Sequence, residues 1–154
     1  MNRFLLIYIC CICSTVFFLI QSPPVQADQN DTRLELLFNN LKTSDRLQKA
    51  SLIEKQIWQI WMEHQNPKVQ SSLFKGIEAM QQQIFEQALA HFSLLIQMEP
   101  EFAEGWNKRA TVLYLMGRFQ QSTTDVQRTI ELEPRHFGAL SGQGLIRMAL
   151  QDRS

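Results

Sequence analysis

Two proline residues 34 positions apart, Pro100 and Pro134, close two segments that align with each other along their length. One copy begins at Val69 and the next at Ala103. The aligned positions pair small residues or apolar residues: Gly76 with Ala110, Phe85 with Phe119, Ala88 with Ser122, Phe92 with Val126, Ile96 with Ile130, and Met98 with Leu132. A fixed period of this length is typical of stacked helical hairpins, because each hairpin must bury its apolar face against the next.

The second copy, residues 103–136, carries a recognisable set of residues at fixed spacing. They are a large residue early in the first helix, a small residue four positions later, a turn glycine, an aromatic residue and a closing proline: Trp106, Ala110, Gly117, Phe119 and Pro134. This set resembles the tetratricopeptide repeat. The first copy departs from it at Ser72, where the large aromatic is missing, and at Gln83, where the glycine is missing. The resemblance implies an all-α fold, a right-handed α-α superhelix of antiparallel helical hairpins.

The first 27 residues have the features of a targeting segment. Arg3 precedes a run of 17 apolar and small residues, positions 4–20, and a Val-Gln-Ala sequence ending at Ala27 matches the signal-peptidase pattern. We therefore expect residues 1–27 to be a signal peptide, cleaved after Ala27, and the protein to be exported to the periplasm. Because the apolar run is at the lower limit for crossing a bilayer, an uncleaved inner-membrane anchor facing the periplasm is the alternative.

Charge and cysteine content exclude several classes of protein. The chain has 15 basic and 15 acidic residues, so its formal net charge is zero, and it has no basic stripe. We therefore expect no nucleic-acid partner, and contact with a membrane only through an uncleaved leader. The three cysteines lie inside the apolar run, so cleavage would leave no cysteine for a disulfide framework.

Beyond the leader, the apolar periodicity is helical and divides the chain into four segments. Residues 28–66 predict an N-terminal helical hairpin, a degenerate repeat or a cap, with Thr32–Glu35 as a capping box and Ser44 as the second N-cap. Residues 69–102 and 103–136 are repeats 1 and 2, with helices predicted near 71–80, 85–98, 103–116 and 119–131. Residues 137–154 supply one helix, which is either a C-terminal capping helix or a truncated third repeat.

No arrangement of residues in the sequence predicts catalysis, a metal site or a cofactor. The three histidines, at positions 64, 91 and 136, have no other histidine or cysteine at metal-ligand spacing. Glu99, Glu101 and Glu104 flank a turn and a helix start, where the helix dipole favours negative charge. The tryptophans are interpreted as packing residues. These observations predict a protein that is not an enzyme and needs no cofactor.

The resemblance implies a concave groove, lined by the first helix of each repeat, that holds peptides or partner proteins. Carried over position by position, the groove residues are Leu73, Ile77 and Met80; Asn107, Thr111 and Tyr114; and Ser141, Leu145 and Met148. Family members that clamp a C-terminal carboxylate have lysine and asparagine in place of Leu73 and Ile77. We therefore expect an amphipathic helix or apolar peptide as partner. The alternative is that some of these apolar residues pack internally.

These features favour a non-enzymatic adaptor or scaffold in the bacterial periplasm. It would bind a protein or peptide partner and help to assemble an envelope complex. The alternative is a structural protein that forms homo-oligomers through its terminal helix, whose outer side is expected to expose Ile146, Ala149 and Leu150. A repeat array needs a terminal element to cover its last apolar face, so a plain capping role for this helix is also open.

Overall fold

The computed structural model describes residues 28–152. The predicted signal peptide, its cleavage site and the three cysteines lie outside the described residues. The described chain forms seven α-helices and no strand: α1 Arg33–Lys42, α2 Leu47–Trp61, α3 Pro67–Gln81, α4 Phe85–Met98, α5 Ala103–Leu115, α6 Phe119–Leu132 and α7 Phe137–Gln151. None of these helices has the length and apolarity needed to cross a membrane.

The two repeats form two helical hairpins that stack on each other. α3 packs along α4 and α5 packs along α6, while α4 contacts α5 and α6 contacts α7 at the junctions. The predicted all-α helical solenoid is therefore confirmed. The predicted start and end of α4, the start of α5 and the start of α6 agree with the structure, and α5 ends one residue earlier than predicted. The agreement arises because proline and glycine residues end one helix before the next begins.

Small residues allow the two helices of each hairpin to approach closely. A Cβ atom on Gly76 would lie 2.4 Å from a ring carbon of Phe92, so only glycine permits this contact. In the second hairpin Ala110 occupies the equivalent position, and the Ser122 hydroxyl donates a hydrogen bond of 2.7 Å to its carbonyl oxygen. The small residues that align in the repeat are therefore the points at which paired helices meet.

The turn inside each hairpin holds one residue in the left-handed region. Gln83 has a φ of 60° and Gly117 has a φ of 71°. In both turns the following amide donates back to a carbonyl five residues earlier, Ile84 to Ala79 and Arg118 to Leu113, each at 2.8 Å. The glycine missing from the first repeat is thus replaced by a glutamine that adopts the glycine conformation.

The predicted side-chain cap of α1 is absent, and the starts of α2 and α3 differ from the predictions. α1 is not capped by Thr32, because the Asp31 carboxylate accepts the first helical amide at 2.8 Å. Ser44 does not cap α2, which begins three residues later, at Leu47. α3 begins at Pro67 rather than near residue 71, since the Asn66 side chain accepts an amide at 3.0 Å and proline suits a first helical position.

The helices α1 and α2 form an N-terminal hairpin with a core of its own: Leu34, Phe38, Ile53, Ile57, Ile60 and Trp61. Long-range contacts join this hairpin to the repeats. The Gln29 side chain donates to the carbonyl of Glu101 and accepts from the amide of Ala103 at 3.2 Å. Arg135 donates to Glu35 at 2.6 Å. Whether the hairpin is a degenerate repeat or a cap stays a prediction.

The terminal helix α7 exposes a different face from the one expected. Ile146 is only 3% exposed, and Ala149 and Leu150 pack against the core of the second hairpin. The large apolar side chains that α7 exposes are Leu140, Leu145 and Met148. The expectation that Ile146, Ala149 and Leu150 are exposed was wrong, because these side chains face the core of the second hairpin. The sequence at the end of a helix does not reveal which side of the helix is buried.

We predict that Gln83→Gly stabilises the protein. A residue with a Cβ is about 1 kcal/mol less stable than glycine in a left-handed backbone. Replacing Gln83 by glycine removes this cost and should raise the Tm by about 4 °C. Thermal unfolding followed by circular dichroism measures the change. Gln82→Gly is the control, because Gln82 has a φ of −81° and its replacement should lower the Tm. A lower Tm for Gln83→Gly would contradict the prediction.

Candidate functional site

A pocket with a volume of about 160 Å³ opens between α5 and α7, and we call it the α5–α7 pocket. Five of the nine predicted groove residues line it: Asn107, Thr111, Tyr114, Ser141 and Leu145. Its other lining residues are Ala110, Ser122, Val126, Gly138, Gly142 and Ile146. The structure therefore brings the predicted residues of the second repeat together with two from the terminal helix.

No residue that lines the α5–α7 pocket is charged. Ala110, Val126 and Ile146 belong to the buried core of the second hairpin and give the pocket an apolar floor. Hydroxyl and amide groups, such as those of Tyr114 and Asn107, supply hydrogen-bonding positions. An apolar cavity of ~150 Å³ is enough to hold a benzene molecule. The pocket is therefore suited to an apolar side chain that has polar neighbours.

The other four predicted groove residues lie elsewhere. Leu73 is fully buried in the core of the first hairpin, and Ile77 and Met80 are half-buried against the same core. Met148 is 56% exposed on α7 but does not line the pocket. For Leu73 the structure thus agrees with the alternative of internal packing, and the first repeat contributes nothing to the pocket.

A buried polar group, which we call the Glu104 cluster, adjoins the pocket through Asn107. The Glu104 carboxylate lies 2.9 Å from the Lys108 ammonium and accepts a 2.9 Å hydrogen bond from the Asn107 amide. His136 Nε2 is 3.0 Å from the same carboxylate. Since His136 Nδ1 accepts the amide of Ala139, Nε2 carries the proton and donates to Glu104.

The Glu104 carboxyl is ionised although no water reaches it. Burial raises the pKa of Glu104, but the charge of Lys108 and the hydrogen bond from His136 lower it by more. The net effect holds the pKa of Glu104 below its ordinary value. The sequence indicated a helix start at this residue, and Glu104 lies in the first turn of α5. Its burial was not predicted, because His136 reaches it from 32 residues away and leaves no local signal.

Two tryptophans of α2 cover the Glu104 cluster. Trp61 stacks on His136 with ring centroids 4.1 Å apart and ring planes 10° from parallel. Trp58 meets Phe137 edge to face at 5.2 Å, and the Lys108 ammonium lies 5.3 Å from its ring centroid. The packing role predicted for these tryptophans is confirmed. The buried indole N–H of Trp61 has no acceptor among residues 28–152.

Comparisons with known proteins give relatives of one kind, although no family model matches the chain. A TPR repeat-containing protein from Rhizobium etli is 34% identical over 114 residues, which are 74% of this chain and 56% of that protein. The Hsp70-Hsp90 organizing protein of Triticum aestivum and the Hsp70-Hsp90 organizing protein 1 of Glycine max are each 25% identical over 114 residues. These matches cover 73% of this chain and 19% and 20% of the plant proteins.

A solved structure has the same fold. The TPR2B domain of yeast Sti1, in its complex with pHsp70, superposes with a TM-score of 0.55 at 22% identity. The superposition covers 56% of this chain and 70% of that one. This chain is a tetratricopeptide-repeat protein. It spans about half the length of the Rhizobium relative and about a fifth of each plant relative.

Two features of this tetratricopeptide-repeat protein are candidates for a functional site, the Glu104 cluster and the α5–α7 pocket. Among residues 28–152, no group of three or more histidine, cysteine or acidic side chains could hold a metal ion. The Glu104 cluster lies beneath the N-terminal hairpin, and both Glu104 and His136 are almost fully buried. The α5–α7 pocket is open and uncharged, so it is the candidate site.

We predict that Glu104→Ala destabilises this protein by on the order of 3 kcal/mol, the usual cost of breaking a buried ion pair by removing one partner. The substitution takes the acceptor from His136 and the counter-ion from Lys108. Glu104→Gln keeps an acceptor in place and should cost less. Urea unfolding gives both free energies. A cost below about 1 kcal/mol for alanine would show that the cluster is hydrated.

We also predict that acid weakens the wild type more than it weakens Glu104→Gln. The pKa of Glu104 is lower in the folded protein than its ordinary value of 4.5. Its contribution to stability is therefore complete above the unfolded pKa and is lost as the pH falls through the folded pKa. Free energies of unfolding measured at a series of pH values from 6 down to about 3 test this. Parallel curves for the two proteins would contradict it.

Proposed function

We propose that this tetratricopeptide-repeat protein is a non-enzymatic adaptor that binds a partner protein through the α5–α7 pocket. The observation that carries the proposal is the convergence of five predicted groove residues around an open, uncharged pocket. The names of the two plant relatives, Hsp70-Hsp90 organizing proteins, support a role in organising other proteins. A solenoid of this kind presents an extended surface suited to that role.

The partner segment that the pocket accepts carries an apolar side chain rather than a terminal carboxylate. A carboxylate transferred into an uncharged, half-enclosed site loses hydration without gaining a cation. Family members with a carboxylate clamp have lysine and asparagine where this protein has Leu73 and Ile77, and Leu73 is buried. The chaperone partners named for the relatives are therefore not carried over to this chain.

The leader supports a proposal for the place of action. The apolar run before Ala27 supports export, and the proposal is that the adaptor acts in the bacterial periplasm and helps to assemble an envelope complex. If the leader stays uncleaved, the same domain would act at the inner membrane and face the periplasm. Size analysis of the exported protein, with and without Ala27→Arg, distinguishes the two, since cleavage requires a small residue at this position.

A second candidate function is self-association through α7. Leu140 and Met148 are 46% and 56% exposed on this helix. Such side chains are found at contacts between subunits. Sedimentation velocity over a range of concentrations tests this candidate. A mass that rises with concentration, and that stays at one chain in Met148→Glu, would favour it over the adaptor.

The adaptor proposal is tested by crosslinking in cells from a photoreactive residue at position 114, with mass spectrometry of the product. We predict that one foreign protein is captured and that Gly142→Leu abolishes the capture. A Cβ on Gly142 would lie 3.8 Å from Val126, so the backbone tolerates a side chain that then fills the pocket. Gly144→Leu is the matched control on the same helix, since no atom lies within 4 Å of its Cβ position.

Two results would contradict the adaptor proposal. Capture that is unchanged by Gly142→Leu would show that the pocket is not the binding site. Capture of a second copy of this chain alone would favour self-association. Both glycine variants should have nearly the same thermal stability, which shows that a loss of capture does not come from unfolding.

A further inference from the structure

The N-terminal hairpin lies on the same face of the solenoid as the α5–α7 pocket. Gly138 is a wall of the pocket, and a Cβ atom there would lie 2.6 Å from the Trp58 ring. Trp58 also covers Lys108, the neighbour in sequence of the pocket residue Asn107. The helix α2 therefore covers Lys108 on α5 and the first turn of α7, next to the α5–α7 pocket. We call the pocket and this covered surface together the groove.

The hairpin has the construction of a separable unit. Its buried apolar cluster shares no buried residue with the cores of the two repeat hairpins, although Phe137 of α7 packs against it. Gln29 joins it to the backbone before α5, and the exposed Glu35 carboxylate joins it to Arg135. The buried indole N–H of Trp61 finds no acceptor in the described chain, so the docked hairpin contains an unsatisfied polar group.

The docking face of α2 shows which chemistry the covered part of the groove recognises. Trp58 and Trp61 are three residues apart, so they project from one side of the helix. The first ring lies near the Lys108 ammonium, a cation–π contact, and the second stacks on the His136 imidazole. These contacts require aromatic rings at fixed spacing on a helix.

We propose that α2 is an exchangeable occupant of the groove, and that the partner is an amphipathic helix with two aromatic side chains three residues apart, which displaces α2. The inference rests on the proposed function, because it concerns regulation of the same groove. The partner helix then spans both the α5–α7 pocket and the surface that α2 vacates. Recognition belongs to the helix-in-groove class, in which side chains at helical spacing act as anchors.

Exchange has a measurable consequence for affinity. A helix that competes with α2 binds only the fraction of molecules in which α2 is undocked, so its apparent affinity is reduced by that fraction. By the same linkage, a bound partner helix must increase the opening of the N-terminal hairpin. Weakening the docking contacts therefore raises affinity, whereas weakening an ordinary binding surface lowers it.

The experiment uses a fluorescein-labelled synthetic peptide with the sequence of α2, Leu47–Trp61, and the chain from Asp28 onward. Fluorescence anisotropy measures its binding to the wild type and to a double variant with Trp58→Ala and Trp61→Ala. We expect the wild type to bind the peptide at least about tenfold more weakly, because its own helix occupies the site. Adding Gly138→Ala to the double variant should abolish binding, and adding Gly144→Ala, the matched control, should not.

A second variant, with Gln29→Ala and Glu35→Ala, weakens docking and leaves every aromatic residue in place. It should also bind the peptide more tightly than the wild type, and hydrogen exchange should rise in α1 and α2 while α3 to α6 stay protected. Equal binding by all three proteins, or unfolding of α3 to α6 in both variants, would overturn the proposal. Because the natural partner is not used, failure here leaves the adaptor proposal standing, and that proposal fails only in the crosslinking experiment.

Discussion

A carboxylate that is buried away from water loses its hydration, and charged or hydrogen-bonding groups of the protein must replace that hydration. The arrangement of side chains around the groove follows from this constraint. Glu104 sits in the first turn of α5 with no exposure to solvent, and Lys108 on the next turn supplies the positive charge. His136, the N-cap of α7, donates the remaining long-range bond. This bond links α7 to α5, and both helices contribute lining residues to the pocket. It also fixes the imidazole ring on which Trp61 stacks.

The repeats depend on a second constraint, the close approach of helix backbones. Gly76 admits the Phe92 ring within the first hairpin, and a Cβ on Gly105 would lie 2.2 Å from Leu95 across the junction between hairpins. Side chains of ordinary size at these points would separate the helices and open cavities in a core that depends on close packing. The spacing of the repeats is therefore set by where glycine and alanine occur, and that information is local in sequence.

Local information also explains which predictions succeeded. The helices of the repeats and the turn at Gln83 could be predicted, because proline, glycine and aligned small residues mark them directly. The residue that caps α1 could not be predicted, because Asp31 and Thr32 are adjacent and either side chain could accept the first helical amide. In the folded chain Asp31 accepts it. Five of the predicted groove residues line one pocket, whereas Leu73 is buried, because its packing depends on residues outside its own helix. The Glu104 cluster joins residues 32 positions apart, and no periodicity predicts such a pair.

The placement of this charged cluster under the N-terminal hairpin affects how readily the hairpin can leave. Exposing apolar surface to water costs free energy in proportion to its area. Exposing a buried ion pair to water, in contrast, restores the hydration of its charges. Opening α2 exposes two tryptophans to water, and it also rehydrates the Glu104–Lys108 pair and gives the Trp61 indole a hydrogen-bond acceptor. The two effects oppose each other, so the docked and open states differ less in free energy than the aromatic contact area alone implies. A partner helix that brings its own aromatic rings restores the apolar contact, and the balance then shifts toward the open hairpin.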